Sequence, residues 1–189
     1  MSRKRLKIAD WIELGLKELS KSGSEALRLD AICEAAGVTK GSFYHHFENH
    51  GSFLTKTAEL WNERQTDALI AKVKGKEQAD DVAAALFDLA LSLDYQVELG
   101  MRELARRNKG VADIVAQTDS LRLDFAAKIY KARFDLPDSE AADAAALEYA
   151  AFNGLVLISP GISRKRLREL ASGLSSMAGT YFRTPPALR

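Results

Sequence analysis

Residues 29–47 read LDAICEAAGVTKGSFYHHF, and their residue types call for two short helices joined by a tight turn. Leu29 to Ala36 carries small or apolar groups at Ala31, Ile32 and Ala35 along one face, with Asp30 favourably placed in the first turn. Ala36 before Gly37 permits close helix approach, Gly37 supplies the left-handed turn residue, and Val38 plugs the angle between the helices. Thr39 is a good N-cap for a second helix running to about Phe47, in which Phe43 and Phe47 face inward. This is the spacing of a helix-turn-helix unit. Lys40, Gly41, Ser42, Tyr44 and His45 are left on the outer, N-terminal surface, where a recognition helix meets base edges and phosphates.

Outward from this segment the chain keeps a helical period and shows no convincing strand alternation. Leu6 to Leu19 places Ile8, Trp11, Ile12, Leu16 and Leu19 on one face and ends at Lys21-Ser22-Gly23. A long helix is expected from Ser52 to Val73 before Lys74-Gly75-Lys76, then one from Ala79 to Leu93 that is apolar almost all round, as suits the middle of a bundle. Val97 to Arg107, Val111 to Phe134, a helix capped by Asp138 or Ser139 and reaching Ile158, and Arg164 to Phe182 complete the chain. Ser159-Pro160-Gly161 separates the last two, and Thr184-Pro185-Pro186 reads as a loose tail. The expectation is an all-α fold of about nine helices, with one domain over 1–50 and a helical bundle over 51–189.

Composition agrees with a globular chain. Among 189 residues there are 27 Lys plus Arg, 26 Asp plus Glu and 47% hydrophobic residues, which excludes disorder and collagen. The lone Cys33 cannot pair within the chain, and a reducing compartment suits it. The longest uncharged stretch, Tyr149 to Ser163, is short for a membrane span, and Asp10 and Glu13 interrupt what would otherwise resemble a signal peptide after Arg3, Lys4, Arg5 and Lys7. A cytoplasmic protein without a membrane partner is therefore expected. The first 60 residues hold 9 basic and 8 acidic side chains, so any nucleic-acid contact must come from local arrangement rather than bulk charge.

The run Ala36-Gly37-Val38-Thr39-Lys40-Gly41-Ser42-Phe43-Tyr44-His45-His46-Phe47, followed by Phe53-Leu54, resembles the DNA-binding signature of the TetR family of transcriptional regulators. Residues 1–28 fit that family's first helix, and the remainder fits its helical ligand-binding and dimerising half by layout. Met101 to Arg107 followed by Gly110 to Arg122 resembles a pattern found in one branch of it. The resemblance implies a homodimer on double-stranded DNA, its two recognition helices in successive major grooves of a palindromic operator, acting as a repressor released by a small-molecule ligand. Carried over, Lys40, Ser42 and His45 become base contacts, Gly41 allows close approach, Thr39 caps the recognition helix, and Tyr44 and His46 become phosphate contacts. Two positions depart from the family pattern. Asn49-His50-Gly51 stands where many members have a phosphate-gripping Lys, so that contact is weaker or passes to His50. Arg28 stands where many have a capping Thr or Ser, and is placed to reach phosphate instead.

In the last helix Leu167, Leu170, Leu174, Met177 and Tyr181 form an a/d seam, and the preceding helix is rich in Ala and Gly, so these two helices are the expected dimer interface. Phe87, Leu91, Tyr95, Met101, Phe125 and Phe152 are candidates to line a ligand cavity, with Asn153 a polar group in an apolar turn that needs a partner. No GxSxG, Walker, GxGxxG or HExxH pattern occurs, so neither enzyme nor cofactor is expected. His46 and His50 are four apart with Glu48 between them, but no thiolate or further ligand stands nearby and no metal site is expected. The alternative is a helical protein-interaction module that kept the fold and lost DNA binding, for which the near-neutral first 60 residues and the missing lysine speak.

Overall fold

The computed structural model describes residues 6–73, 76, 78–159 and 161–184. Arg3, Lys4 and Arg5, the Lys74-Gly75 pair, Pro160 and Pro185-Pro186 lie outside the described residues. Among the described residues the elements are α1 (Ile8–Ser22), a 3-10 turn (Ser24–Leu27), α2 (Leu29–Ala36), α3 (Lys40–Tyr44), α4 (His50–Asn62), α5 (Ala68–Val73), α6 (Ala79–Ser92), α7 (Tyr95–Ala105), α8 (Lys109–Phe134), α9 (Asp138–Ile158) and α10 (Arg164–Arg183). A π-helical turn, Glu63–Asp67, joins α4 to α5 without a break, so the long helix expected to Val73 is one helix with a local widening. Counted that way the described residues form nine helices and no strand, an all-α fold. The chain divides into two compact units, the first containing residues up to Ala68 with Asp94–Thr118 and the second Leu69–Leu93 with residues from Asp119 onward.

The first unit is built on aromatic packing. Trp11, Phe43, Phe53 and Trp61 have no exposed surface, and Phe47 has 3%. Trp11 meets Phe43 edge to face at 5.3 Å, and Phe43 meets Phe47 at 4.9 Å and Phe53 at 5.5 Å between ring centroids. Backbones approach closely where glycine permits it. A Cβ on Gly15 of α1 would stand 3.0 Å from Phe53 Cζ on α4, and one on Gly100 of α7 would stand 2.5 Å from Leu19 Cδ1 on α1. Residues 51–68 and 94–118, assigned by sequence to the bundle domain, therefore pack around the N-terminal helices. Asp94 caps α7 by accepting from Gln96 N–H at 3.0 Å, and it also accepts from the Ser20 hydroxyl of α1.

The second unit is packed differently. Its core joins Tyr130, Leu136, Ala141, Ala144 and Ala145, with Phe134, Ala178 and Phe182 against them. The Tyr130 ring lies 5.7 Å from Phe182, and burial pushes its hydroxyl pKa well up. Arg133 Nε donates to Asp80 at 2.7 Å and Arg168 to Asp88 at 2.6 Å, tying α8 and α10 to α6. Only Leu91 of α6 is buried, which corrects the expectation of a helix enclosed on all sides: Ala84 and Asp88 of that helix are exposed. At the α9 entry Pro137 occupies the N-cap position without a side-chain bond, so neither Asp138 nor Ser139 is the cap. Among the described residues α9 is long and apolar enough to cross a membrane, with mean hydropathy 1.3 and 22% of that window buried.

Candidate nucleic-acid interface

Helices α2 and α3 meet at a turn whose geometry follows from three residues. Gly37 is left-handed at φ 66° and ψ 32°, and its N–H closes the helix onto Cys33 and Glu34 carbonyls. Val38 N–H donates to Cys33 O at 3.0 Å. Thr39 sits at the N-cap of α3 with extended backbone, but its side chain makes no capping bond, so its contribution is backbone geometry alone. The α3 helix is shorter than expected and stops at Tyr44; Phe47 still reaches the core through a following turn, in which its N–H donates to Phe43 O at 3.1 Å.

Phe43 anchors α3 inward, and the assigned polar set emerges on the other side. Tyr44 is half exposed; Lys40, Gly41 and His45 are exposed, and Ser42 and His46 are partly covered. The His45 and His46 rings lie edge to face, 5.2 Å apart. Among the described residues a Cβ on Gly41 would meet only Thr39 Oγ1, at 3.7 Å, so none of them requires a glycine there. A helical glycine costs roughly 0.5–1 kcal/mol relative to alanine, so Gly41 gives up helix stability at this exposed position. The Lys40 ammonium is paired with the Asp30 carboxylate of α2, a partner that sequence reading left unassigned. Burial pushes the Cys33 thiol pKa up, so this thiol stays protonated beneath the surface.

The two departures noted in the sequence have structural counterparts. Arg28 provides no side-chain cap to α2; it is three-quarters exposed, and its Nη1 donates to Glu25 at 3.1 Å. His50 Nε2 lies 2.6 Å from Leu27 O, and since a carbonyl can only accept, the ring donates there. That donor is committed within the chain, holding the start of α4 to the end of the 3-10 turn. The cap of α4 is Asn49, whose side chain accepts from Ser52 N–H at 2.8 Å. A Ser/Thr/Asp/Asn scan immediately before His50 could have found it. Beside this corner lies a cleft of about 230 Å³ bounded by Ser24, Glu25, Arg28, His50, Glu103 and Arg107 among others, none of them a residue assigned to ligand.

The ligand candidates are divided between the two units. Met101 is fully buried in the first unit's core with Trp11 and Leu19, and Tyr95, also in that unit, begins α7. Phe87, Leu91, Phe125, Phe152 and Asn153 belong to the second unit. Asn153 Nδ2 donates to Tyr149 O at 2.8 Å, so its polar group has a partner in its own helix. Near it the Tyr149 hydroxyl donates to Asp119 at 2.7 Å and accepts from Arg122 at 3.2 Å, a polar seam between α8 and α9. On α10, Leu167 and Ala171 are buried within the unit, Leu170 and Leu174 are half-buried, and Met177 and Tyr181 are 65% and 53% exposed. The heptad stripe thus runs along the flank of the buried face. No cluster of three or more His, Cys, Asp or Glu suited to a metal occurs among the described residues.

Residues 12–55 match the family described as bacterial regulatory proteins, tetR family. The transcriptional regulator AcuR of Cereibacter sphaeroides is 30% identical over 118 residues, 62% of this chain and 52% of its own length, so this chain spans about half of that curated relative. A transcriptional regulator from Rhodococcus sp. Rha1 superposes with a TM-score of 0.78 at 18% identity, over 98% of this chain and 100% of that one. A regulator from Saccharomonospora viridis, solved in complex with choline, gives 0.75 at 16% identity, over 93% and 95%. The family match falls on α1 to α4, so residues 12–55 resemble the DNA-binding region of tetR-family regulatory proteins, and the likeness in fold to these regulators runs nearly the whole length of the chain.

Proposed function

We propose that this chain is a DNA-binding transcriptional regulator that binds a palindromic operator as a homodimer and is released from it, as a repressor is, by a small-molecule ligand. The observation that carries the reading is α3 itself. Its one buried residue, Phe43, is locked among Trp11, Phe47 and Phe53, while a short polar surface with an uncrowded Gly41 faces outward. A five-residue helix that contributes one side chain to the core serves poorly as packing and well as a presented edge. In this reading residues 1–50 contact DNA: Lys40, Ser42 and His45 at bases, Tyr44, His46 and Arg28 at phosphates, with His50 holding the corner. Residues 51–189 bind ligand and form the dimer.

Dimerisation is supported by the apolar surface that α9 and α10 leave uncovered. Leu147, Leu157 and Ile158 of α9 are 72%, 65% and 75% exposed, and Met177 and Tyr181 of α10 are 65% and 53% exposed. Large exposed apolar residues gathered on two helices mark an interface. It also accounts for the apolar character of α9 without a bilayer. The ligand-bound state of the Saccharomonospora viridis neighbour supports the small-molecule part of the reading, without indicating which ligand this chain takes. Selection of bound sequences from a random duplex pool, followed by a screen for compounds that release them, tests the proposal. Enrichment of a two-fold symmetric site is the expected result, and a chain that passes through immobilised duplex at low salt would refute it.

A further inference from the structure

Lys40 begins α3, and a cation there faces the positive end of the helix, a position that favours anions. Asp30, in the first turn of α2, supplies the compensating charge: its carboxylate pairs with the Lys40 ammonium although the two side chains are 80% and 54% exposed. The hydrogen bond to Asp30 is the main reason the Lys40 pKa is raised, with Cys33 and Tyr44 contributing weakly. Exposed ion pairs contribute little net free energy in water, so this one exchanges readily when a better partner arrives.

The exchange has different consequences on different DNA. On a random duplex the partners offered are mainly phosphates. Drawing Lys40 to a phosphate would leave Asp30 unpaired beside a polyanion. A guanine edge offers Lys40 the O6 and N7 acceptors inside the groove, and a neighbouring cytosine or adenine amino group gives a carboxylate something to accept from. We propose that Asp30 is a specificity-determining residue: it withholds Lys40 from non-specific phosphate and releases it to a base edge. This rests on the DNA-binding reading above.

The test compares wild type, Asp30→Asn, Lys40→Met and the double variant on two probes, a random-sequence duplex and a sequence enriched by wild type from a random pool. Asp30→Asn should bind random duplex about 5–10-fold more tightly, with a salt slope steeper by about one, while the ratio of enriched to random affinity falls by a similar factor. In the Lys40→Met background the same exchange should leave that ratio unchanged, because Asp30 acts through Lys40. If Asp30→Asn weakens α2, Lys40→Met alone still decides. It should cost about tenfold or more on the enriched sequence and less than about twofold on random duplex. Equal losses on both probes, or an unaltered ratio in Asp30→Asn, would overturn the assignment of Asp30. Wild type that binds no duplex at all would overturn the DNA-binding reading as well, so the two failures are distinguishable.

Discussion

The two units bury different things. The first encloses two tryptophans and three phenylalanines almost completely, with glycines that bring helix backbones together. The second centres on Tyr130, Leu136 and three alanines, and leaves Leu147, Leu157, Ile158 and Met177 at the surface. Alanine contributes little buried area per residue, so much of the second unit's burial falls to Tyr130 and to aliphatic groups such as Leu91, Ile129 and Leu167. The first unit keeps its largest apolar side chains inside, while α9 and α10 of the second leave several at the surface, the surface on which the proposed dimer rests.

That contrast can be broken most severely at Phe43. Phe43→Ala would leave a cavity among Trp11, Phe47 and Phe53, and a loss of about 3–5 kcal/mol is expected in urea unfolding. A loss below about 1 kcal/mol would show that the aromatic cluster is not what holds α3. Next in size is Ile158→Asp. Because Ile158 is 75% exposed, helicity by circular dichroism should be retained, while light scattering should report a dimer weakened about a hundredfold or more. Wild type that is monomeric at micromolar concentration would remove the second half of the comparison.

Smaller effects sharpen the picture within the first unit. Gly37→Ala forces a Cβ into the left-handed region, costing about 1–2 kcal/mol in a thermal or urea melt. Gly41→Ala should do the opposite for folding, adding roughly 0.5–1 kcal/mol, because the helix tolerates alanine and none of the described residues crowds the site. DNA retention by the same variant should fall about tenfold if the backbone of α3 must approach a groove closely. A variant that gains stability and keeps its affinity would show that Gly41 has no role at the interface.

Much of this was legible along the chain because it is local. The limits of α2, the turn at Gly37 and the inward set Phe43 and Phe47 follow from residues within a few positions of one another, where helix period and backbone freedom act directly. The π-helical turn at Glu63–Asp67 carried no comparable signal, since nothing in helical periodicity announces one extra residue in a turn. Thr39 has the right residue type for a cap and occupies the right place, yet its hydroxyl makes no bond to the helix.

By itself, then, the sequence determined that the chain is helical, where the helix-turn-helix lies, and which face of α3 is apolar, all consequences of spacing and backbone preference. Tertiary structure decided what each apolar or charged group meets. Met101 and Leu167 have the same helical spacing as surface candidates and are fully or almost fully buried within the chain, whereas Met177, on the same heptad stripe as Leu167, is exposed. Lys40 is a free cation in the sequence and an ion-paired one in the fold. The physical reason is common to all of these: burial and charge pairing depend on elements brought together in space, and the heptad stripe of α10 straddles two faces whose fates are set by which neighbours arrive.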